Sequence, residues 1–223
     1  MHKQAEYTLL KRSLGREAAA SLWQGQAQPE EIGELASSVV LFADICHFSR
    51  LAEQLSLNDL RRFLSDFFQL FVACIEEQGG SVNKFAGDGG LALFAADPGE
   101  AGARAAVTAG LQLQARFHRL RERWQELAAP CAQVDLAAGI SCGEIFLGTV
   151  GTAERFDYTA IGPAVNVAQR LAADAPAGGV YCCGAVRERL DRSLPLTRLI
   201  ALGTVQPRGM TRKLSLFQVL AGD

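Results

Sequence analysis

The sequence predicts an α+β fold in which helices cover a central, mostly antiparallel sheet. Residues 56–78 and 99–127 carry apolar side chains at helical spacing, whereas the segments between and after them are short apolar runs bounded by glycine. Strand, helix, hairpin, helix and strand follow one another without an internal repeat. We therefore expect a single sheet with helices packed against it.

The N-terminal segment is predicted to be an appendage to this fold. Leucine and alanine at helical spacing predict a helix over residues 3–23, and glycine and proline at 25–29 break it. A strand over 37–44 then begins the sheet. We expect residues 1–33 to form an N-terminal helix and linker and residues 34–223 to form the main domain. The N-terminal helix is either the end of a signalling linker from an upstream sensor domain, which we favour, or simply a packing appendage.

The main domain divides into helices and strands in a definite order. Ser56 and Asp59 resemble a capping box at the start of the first long helix, and Gly79 ends it. Two short strands within 81–94 are predicted to join at the Gly87-Asp88-Gly89 turn. The remaining predicted strands are 134–141, 145–150, 180–182, 196–202 and 214–220, and the remaining helices are 163–173 and 185–190.

Composition excludes several classes of protein. The 223 residues are 49% hydrophobic and 21% charged, with a formal net charge of -2. This balance is unlike that of a basic nucleic-acid binder or a disordered chain. The chain also lacks an apolar stretch of about 18 residues and a signal-peptide pattern at its start. We expect a small-molecule partner, with no nucleic acid and no membrane contact by this segment.

Six cysteines are scattered along the chain without a Cys-x-x-Cys pair. This spacing does not suit a zinc site, so we expect reduced cysteines in a core and a cytoplasmic location. They are Cys46, Cys74, Cys131, Cys142, Cys182 and Cys183.

Two aspartates stand at the ends of apolar runs. Asp44 closes the run 39–43, and Asp88 lies between 84–87 and 89–94. Taken singly, the first is typical of a helix N-cap and the second of a hairpin turn. If the runs are neighbouring buried strands, however, two carboxylates meet and require cations to neutralise them. Together with the segments that follow, the pair indicates a two-metal site for phosphoryl chemistry.

Four ordered segments carry a resemblance to a known family. They read VLFADICHFS, NKFAGDGGLALF, GISCGEIFLGTVG and ERFDYTAIGPAVNVAQRL. Over about residues 37–220 the chain closely resembles the class III nucleotidyl cyclases. It is most similar to the prokaryotic adenylate cyclases in which a lysine and a threonine recognise the base (the Lys/Thr base-reading type). The resemblance implies a ferredoxin-like class III cyclase fold and a head-to-tail homodimer with shared active sites.

The resemblance assigns a metal site to the end of the first strand. Asp44, the backbone carbonyl of Ile45 and Asp88 would bind two divalent ions, Mg²⁺ or Mn²⁺, which prefer such hard oxygen ligands. The backbone amides of the next loop would face the nucleotide phosphates, aided by a helix N-terminus if the following helix begins at this turn. The residues of that loop are Cys46, His47, Phe48 and Ser49.

His47 departs from the family pattern, which commonly has glycine at this position. Three interpretations stay open: a neutral side chain turned to solvent, a donor to the phosphates, or a sign of impaired binding.

Two residues correspond to the family positions that read the base. Lys84 is a donor that suits the ring-nitrogen acceptor of adenine, whereas guanine presents a ring N–H that favours a carboxylate. Thr159, seven residues before a helical asparagine, has a hydroxyl that can accept from the adenine amino group. The resemblance therefore implies ATP as the substrate rather than GTP.

Further positions correspond to groups that act on the ribose and phosphates. Asn166 and Arg170 are four residues apart, so a helix places them on one face. By the resemblance, Asn166 orients the ribose and Arg170 contacts the α-phosphate, where charge builds up in the transition state. Arg155 and Arg208 correspond to phosphate-binding positions, although each would also be ordinary as a solvated charge.

The sequence thus predicts an adenylate cyclase that converts ATP to 3′,5′-cyclic AMP and pyrophosphate. The alternatives are a guanylate cyclase and a noncatalytic, nucleotide-binding regulatory homologue. A diguanylate cyclase should carry a Gly-Gly-Asp/Glu-Glu-Phe turn, whereas this chain has Gly-Asp-Gly-Gly at residues 87–90.

Overall fold

The structure is a computed structural model that describes most of the main domain. Of the predicted N-terminal helix, only Ala19 and Trp23 are among the described residues, and both are helical. The rest of that helix and Arg208 lie outside them. The described residues are 19, 23–24, 32–95, 101–152, 155–190, 197–207, 209–211 and 213–222.

From residue 32 onward, the described residues form eight strands and five helices. The strands are β1 (Gly33–Cys46), β2 (Ser81–Ala86), β3 (Gly89–Ala95), β4 (Asp135–Gly151), β5 (Phe156–Ile161), β6 (Val180–Cys183), β7 (Thr197–Val205) and β8 (Leu214–Ala221). The helices are α1 (Phe48–Gln54), α2 (Leu57–Glu77), α3 (Ala101–Leu127), α4 (Pro163–Asp174) and α5 (Gly184–Arg189), with a 3-10 turn at Ala129–Gln133.

All eight strands belong to one sheet. Its order is β2-β3-β1-β4-β6-β8-β7, and β5 pairs with the C-terminal end of β4, from Phe146 to Gly151. The β4–β6 pairing is parallel, and the other described pairings are antiparallel. The predicted α+β architecture with a mostly antiparallel sheet is confirmed. No helix in the described part of the chain combines the length and apolar character needed to cross a membrane.

Helices α2 and α3 cover one face of the sheet. Ser56 caps α2 as predicted, since its hydroxyl accepts from the Asp59 N–H at 3.1 Å. The rings of Phe63 and Phe67 meet the edge of Phe117 on α3 at centroid distances of 6.3 and 5.8 Å. These edge-to-face contacts fix how the two helices pack in the main core.

Helix α4 covers the other face. It buries Val165 and Ala168 in a second, smaller core against Val40, Phe42 and Leu91 of the sheet. The sheet is thus enclosed on both sides near its centre, where β1 runs between β3 and β4.

The structure corrects three expectations about the elements. The predicted break at residues 142–144 does not occur, because these residues continue the β4 ladder opposite β1, with Gly143 paired to Ser38. Pairing with a long neighbouring strand here outweighs the local turn signal. Two elements were not predicted, namely the strand β5 and the seven-residue helix α1.

Candidate active site

Asp44 and Asp88 lie at adjacent strand ends. Asp44 is near the end of β1 and pairs with Gly89, the first residue of β3, which directly follows Asp88 in the β2–β3 turn. A Cβ at Gly89 would lie 2.7 Å from Asp44 Oδ1, so the absence of a side chain makes room for the carboxylate. The predicted meeting of two carboxylates at neighbouring strand ends is therefore present.

The environment of these carboxylates opposes negative charge. Burial and, to a smaller extent, the nearby Asp88 carboxylate raise the pKa of Asp44, a hydrogen bond from the Ile45 backbone N–H lowers it, and the net pKa is about 6. Burial also raises the pKa of Asp88. Two half-buried carboxylates that disfavour each other's ionisation form a site where a bound cation would restore the balance.

These donors fit the divalent metals that the family resemblance implies. Carboxylate oxygens are the ligands preferred by Mg²⁺ and Mn²⁺. Within the described residues no third His, Cys, Asp or Glu side chain completes a cluster. The remaining ligands would therefore have to come from the backbone, water or a nucleotide, which is usual for Mg²⁺.

The predicted phosphate loop is a single turn into α1. His47 is the N-cap of α1 and adopts a left-handed conformation, with φ 64° and ψ 20°. Its side chain is exposed, as is that of Ser49, while Phe48 packs against the main core. A helix that was not predicted, α1, thus begins at this turn, whereas the helix predicted from residue 56 starts later at Leu57.

Cys46 in the same loop is not set up to react. Burial, followed by the charges of Asp135 and Asp44, raises the pKa of its thiol to about 11. A neutral thiol is a poor nucleophile and a poor metal ligand. Cys46 can therefore contribute a backbone amide to the loop but little side-chain chemistry.

The two predicted base-reading residues lie on strands linked by an asparagine. Lys84 is exposed on β2, and Thr159 on β5 is 5% exposed. Asn83, beside Lys84, accepts from the Ala160 backbone N–H at 3.0 Å and from the Thr159 hydroxyl at 3.5 Å. The link draws β5 towards the strand that carries Lys84.

The buried side of helix α4 is held close to the sheet. A Cβ at Gly139 of β4 would lie 2.1 Å from the Ala168 carbonyl oxygen, so glycine permits direct contact between helix and strand. The buried Ser141 hydroxyl donates to the Ala164 carbonyl and ties the start of α4 to β4. These contacts fix the position of the residues on the opposite side of α4.

Asn166 and Arg170 occupy that opposite side and line one cleft. Both are exposed, as expected from their four-residue spacing. The cleft has a volume of about 410 Å³ and is also lined by Pro163, Gln169, Gly209, Met210 and Thr211. Neither Asp44 nor Asp88 is among the lining residues. Within one chain, the pair on α4 and the carboxylate pair therefore do not line the same cleft.

The remaining predicted site residues are less informative. Arg155 is exposed at the β4–β5 turn, where its backbone N–H donates to the Thr152 carbonyl at 3.1 Å. The Ile45 side chain is 2% exposed in the main core, so only its backbone is available to a ligand.

Sequence reasoning missed Asn83 and Gly139. Asparagine is uncommon inside strands, so its place directly before Lys84 was an available signal. The close approach of α4 to Gly139 left no comparable mark on the sequence, because it depends on which helix crosses the strand.

Comparisons with known proteins agree with this geometry. A family model described as the adenylate and guanylate cyclase catalytic domain matches residues 31–219. An uncharacterized protein of Mycobacterium tuberculosis is 34% identical over 167 residues, which are 73% of this chain and 28% of that protein. An adenylate cyclase of Anabaena cylindrica is 29% identical over 188 residues, which are 82% of this chain and 36% of that enzyme. The chain spans about a third of the length of these relatives.

A solved structure shares the fold. The crystal structure of the adenylyl cyclase CyaB from P. aeruginosa superposes with a TM-score of 0.76 and 25% identity, over 86% of this chain and 97% of that one. The sheet, the helices and the positions of the sequence motifs thus lead to one assignment. The chain belongs to the family of adenylate and guanylate cyclase catalytic domains.

Proposed function

We propose that this chain is an adenylate cyclase that converts ATP to 3′,5′-cyclic AMP and pyrophosphate. The observation that carries the proposal is the adjacent Asp44 and Asp88 carboxylates, whose shared burial and charge favour cation binding. Phosphoryl transfer needs little covalent help from a protein and depends on positioning and charge stabilisation.

The carboxylate pair would hold two divalent ions, Mg²⁺ or Mn²⁺, together with the Ile45 backbone carbonyl. When bound, these ions neutralise the nucleotide phosphates and favour ionisation of the attacking 3′-hydroxyl. The backbone amides of Cys46, His47, Phe48 and Ser49 would face the phosphates at the start of α1. Arg155 and Arg208 would add positive charge to the phosphate site.

Lys84 and Thr159 would select adenine. The Lys84 ammonium can donate to a ring nitrogen of adenine, and the Thr159 hydroxyl can accept from its amino group. A guanine base would instead present an N–H to Lys84, leaving two donors opposed. The strand contact through Asn83 supports their action on one base.

Asn166 and Arg170 would act on the reacting end of the substrate. Asn166 would orient the ribose so that its 3′-hydroxyl is in line with the α-phosphate, and the Arg170 guanidinium would stabilise charge that develops on that phosphate. Loss of a preorganised donor of this kind costs on the order of 100-fold in rate.

The separation of the carboxylate pair from the α4 pair supports a homodimer with shared active sites, in which each pair would form a half-site. The cleft lined by Asn166 and Arg170 excludes Asp44 and Asp88 of the same chain. A second copy that presents its carboxylate pair to this cleft would complete a site, and two-fold symmetry would complete a second one.

The wider setting of the domain is also a proposal. Residues 1–33 would form a helix and linker that connect an upstream sensor domain to the catalytic domain at 34–223, and the protein would be cytoplasmic. A linker that enters β1 could bias the arrangement of the dimer.

The decisive experiment identifies the product. The full chain is incubated with ATP or GTP in the presence of Mg²⁺ or Mn²⁺. The nucleotides are then separated and identified by mass spectrometry. We expect cyclic AMP from ATP, with loss of product in Asp44→Ala and Asp88→Ala. The exposed Glu53→Gln variant on α1 serves as a charge-loss control and should retain activity.

Two outcomes would replace the proposal. Cyclic GMP as the main product would identify a guanylate cyclase. Nucleotide binding without a cyclic product in either metal would identify a noncatalytic regulatory homologue.

A further inference from the structure

Asn83 occupies an irregular position in β2. Val82 pairs with Ala92 and Lys84 pairs with Leu91, so the ladder with β3 skips Asn83. A β-bulge of this kind redirects a side chain from the alternation of a regular strand. The Asn83 side chain is thereby available to a strand that is not a ladder neighbour of β2.

That strand is β5, and the orientation of the Asn83 amide follows from its partner. The Ala160 backbone N–H lies 3.0 Å from Asn83 Oδ1. A backbone N–H can only donate, so the amide atom that faces it must be the oxygen. Asn83 Oδ1 therefore presents an acceptor to β5 at the position of Thr159.

The Thr159 hydroxyl is surrounded by acceptors. Two acceptors among the described residues lie within reach of its single proton, Asn83 Oδ1 at 3.5 Å and the Ala160 carbonyl at 3.4 Å. A hydroxyl has one proton and two lone pairs. Whichever acceptor takes the proton, the oxygen keeps its lone pairs for a ligand, and Thr159 acts as an acceptor.

An acceptor discriminates between purines at position 6. The amino group of adenine can donate to it, whereas the carbonyl of guanine or hypoxanthine places two acceptors against each other. A protein hydroxyl with no fixed proton could rotate and serve either base. Selection for the 6-amino group thus depends on the neighbours that hold the Thr159 proton, and loss of the Asn83 side chain would leave the Ala160 carbonyl as the one remaining acceptor of the two.

We propose that Asn83 is a specificity-determining positioning residue, which orients the Thr159 hydroxyl as an acceptor and holds β5 against the strand that carries Lys84. The inference rests on the proposed adenylate cyclase function and deepens it. Asn83 acts through Thr159, and its removal should therefore change the choice between 6-amino and 6-oxo purines.

The test compares three triphosphates that differ at position 6, of which inosine triphosphate also carries a proton at the ring nitrogen N1. These are ATP with an amino group, inosine triphosphate with a carbonyl and purine riboside triphosphate with hydrogen. We expect Asn83→Ala to lower the ratio of kcat/KM for ATP over inosine triphosphate about 10-fold, the usual effect of one hydrogen-bonding group on discrimination. Purine riboside triphosphate should change least, because it makes no contact at position 6.

Matched variants separate specificity from structure. Thr159→Val should lower the same ratio to a similar extent. The ratio of the double variant should be no lower, because both changes remove the same oriented acceptor at position 159. Asn83→Asp keeps an acceptor and should preserve the ratio. Asn58→Ala, on the exposed side of α2, should leave it unchanged.

Equal losses of kcat/KM for all three nucleotides in Asn83→Ala would overturn the inference and leave Asn83 a purely structural residue. So would an unchanged ratio. If the wild-type chain forms no cyclic product, the proposed function fails first. Equilibrium binding of ATP and inosine triphosphate then tests the inference separately, because the same shift in ratio must appear in the two dissociation constants.

Discussion

At the scale of the residue, Asp44 shows how function opposes stability. Its carboxylate is half-buried beside Asp88, and its pKa rises from 3.8 to about 6. The folded chain therefore holds this proton more tightly than the unfolded chain does. The contribution of Asp44 to the free energy of unfolding therefore decreases as the pH rises from 4 through 6. At neutral pH the destabilisation of the folded chain by this group is complete.

We therefore expect Asp44→Asn to stabilise the metal-free chain. The gain at pH 7.5 should be on the order of 1 kcal/mol, discounted because solvent screens a half-exposed carboxylate. It should shrink as the pH falls from 6 to below 4, because the wild-type carboxyl is protonated in both states only below the unfolded pKa of 3.8. Urea unfolding in a chelator measures it, and Mn²⁺ should then stabilise the wild type more than the variant. A destabilised variant at pH 7.5 would contradict the electrostatic argument.

His47 is a second residue whose conformation explains a family preference. Among the described residues it is the one non-glycine residue with positive φ. Histidine tolerates this region better than most residues, but glycine enters it without a steric penalty. The glycine that the family commonly has at this position is thus explained by the turn between β1 and α1.

A pair of glycine substitutions tests this explanation. His47→Gly should be neutral or stabilising by up to about 1 kcal/mol, because relief at positive φ offsets the greater freedom of glycine in the unfolded chain. Ser49→Gly, two residues later within α1, should destabilise by about 0.5 kcal/mol, since glycine there lowers helix propensity. Urea denaturation of both variants gives the sign of the change in the free energy of unfolding. Equal destabilisation would rule out strain at His47.

The meeting of Asp44 and Asp88 at neighbouring strand ends could be predicted, as could the shared exposed face of Asn166 and Arg170, because each of these residues stands in a short sequence motif. The conformation of His47 and the bridging contact of Asn83 could not. Both depend on a turn or a strand pairing that forms only in the folded chain.

At the scale of the element, α4 is the helix on which the proposed chemistry depends. It rests directly on Gly139, and its exposed side presents Asn166 and Arg170 to the cleft. A side chain added at Gly139 would meet helix backbone rather than a flexible neighbour. The helix would have to move, and with it both residues on the opposite side.

We expect Gly139→Ala to lower kcat at least 10-fold, because a displacement near 1 Å of a catalytic group can reduce a rate by about 100-fold. The fold should survive with reduced stability, which circular dichroism and urea unfolding can verify. Gly143→Ala is the matched control, since a Cβ there lies 3.5 Å from Ala164 in ordinary contact. A Gly139→Ala variant with normal kcat would show that α4 adapts without loss.

Elements with strong periodicity were predicted well, and those set by their neighbours were not. The two long helices and the hairpin at Asp88 follow from local patterns. The continuity of β4 through Gly143 depends on the length of its partner β1, and β5 depends on β4. A turn signal within a strand is decided by pairing that a single segment cannot reveal.

At the scale of the whole molecule, one chain carries complementary halves of the proposed site. The carboxylate pair lies at the ends of β1 and the β2–β3 turn, and the α4 pair faces its own cleft. If two copies associate head to tail, the carboxylate pair of each copy faces the α4 pair of the other. Activity would then depend on association and would fall on dilution.

Mixing inactive variants tests this arrangement. Asp44→Ala removes one carboxylate and Arg170→Ala removes one guanidinium, so each homodimer has two damaged sites. In a heterodimer one site combines both defects and the other is intact, and an equal mixture should recover about a quarter of wild-type turnover. Mixing Asp44→Ala with Asp88→Ala should recover nothing, because every site then lacks a carboxylate. Differently tagged copies that copurify would demonstrate heterodimers, and failure of the first mixture to regain activity despite them would exclude a shared site.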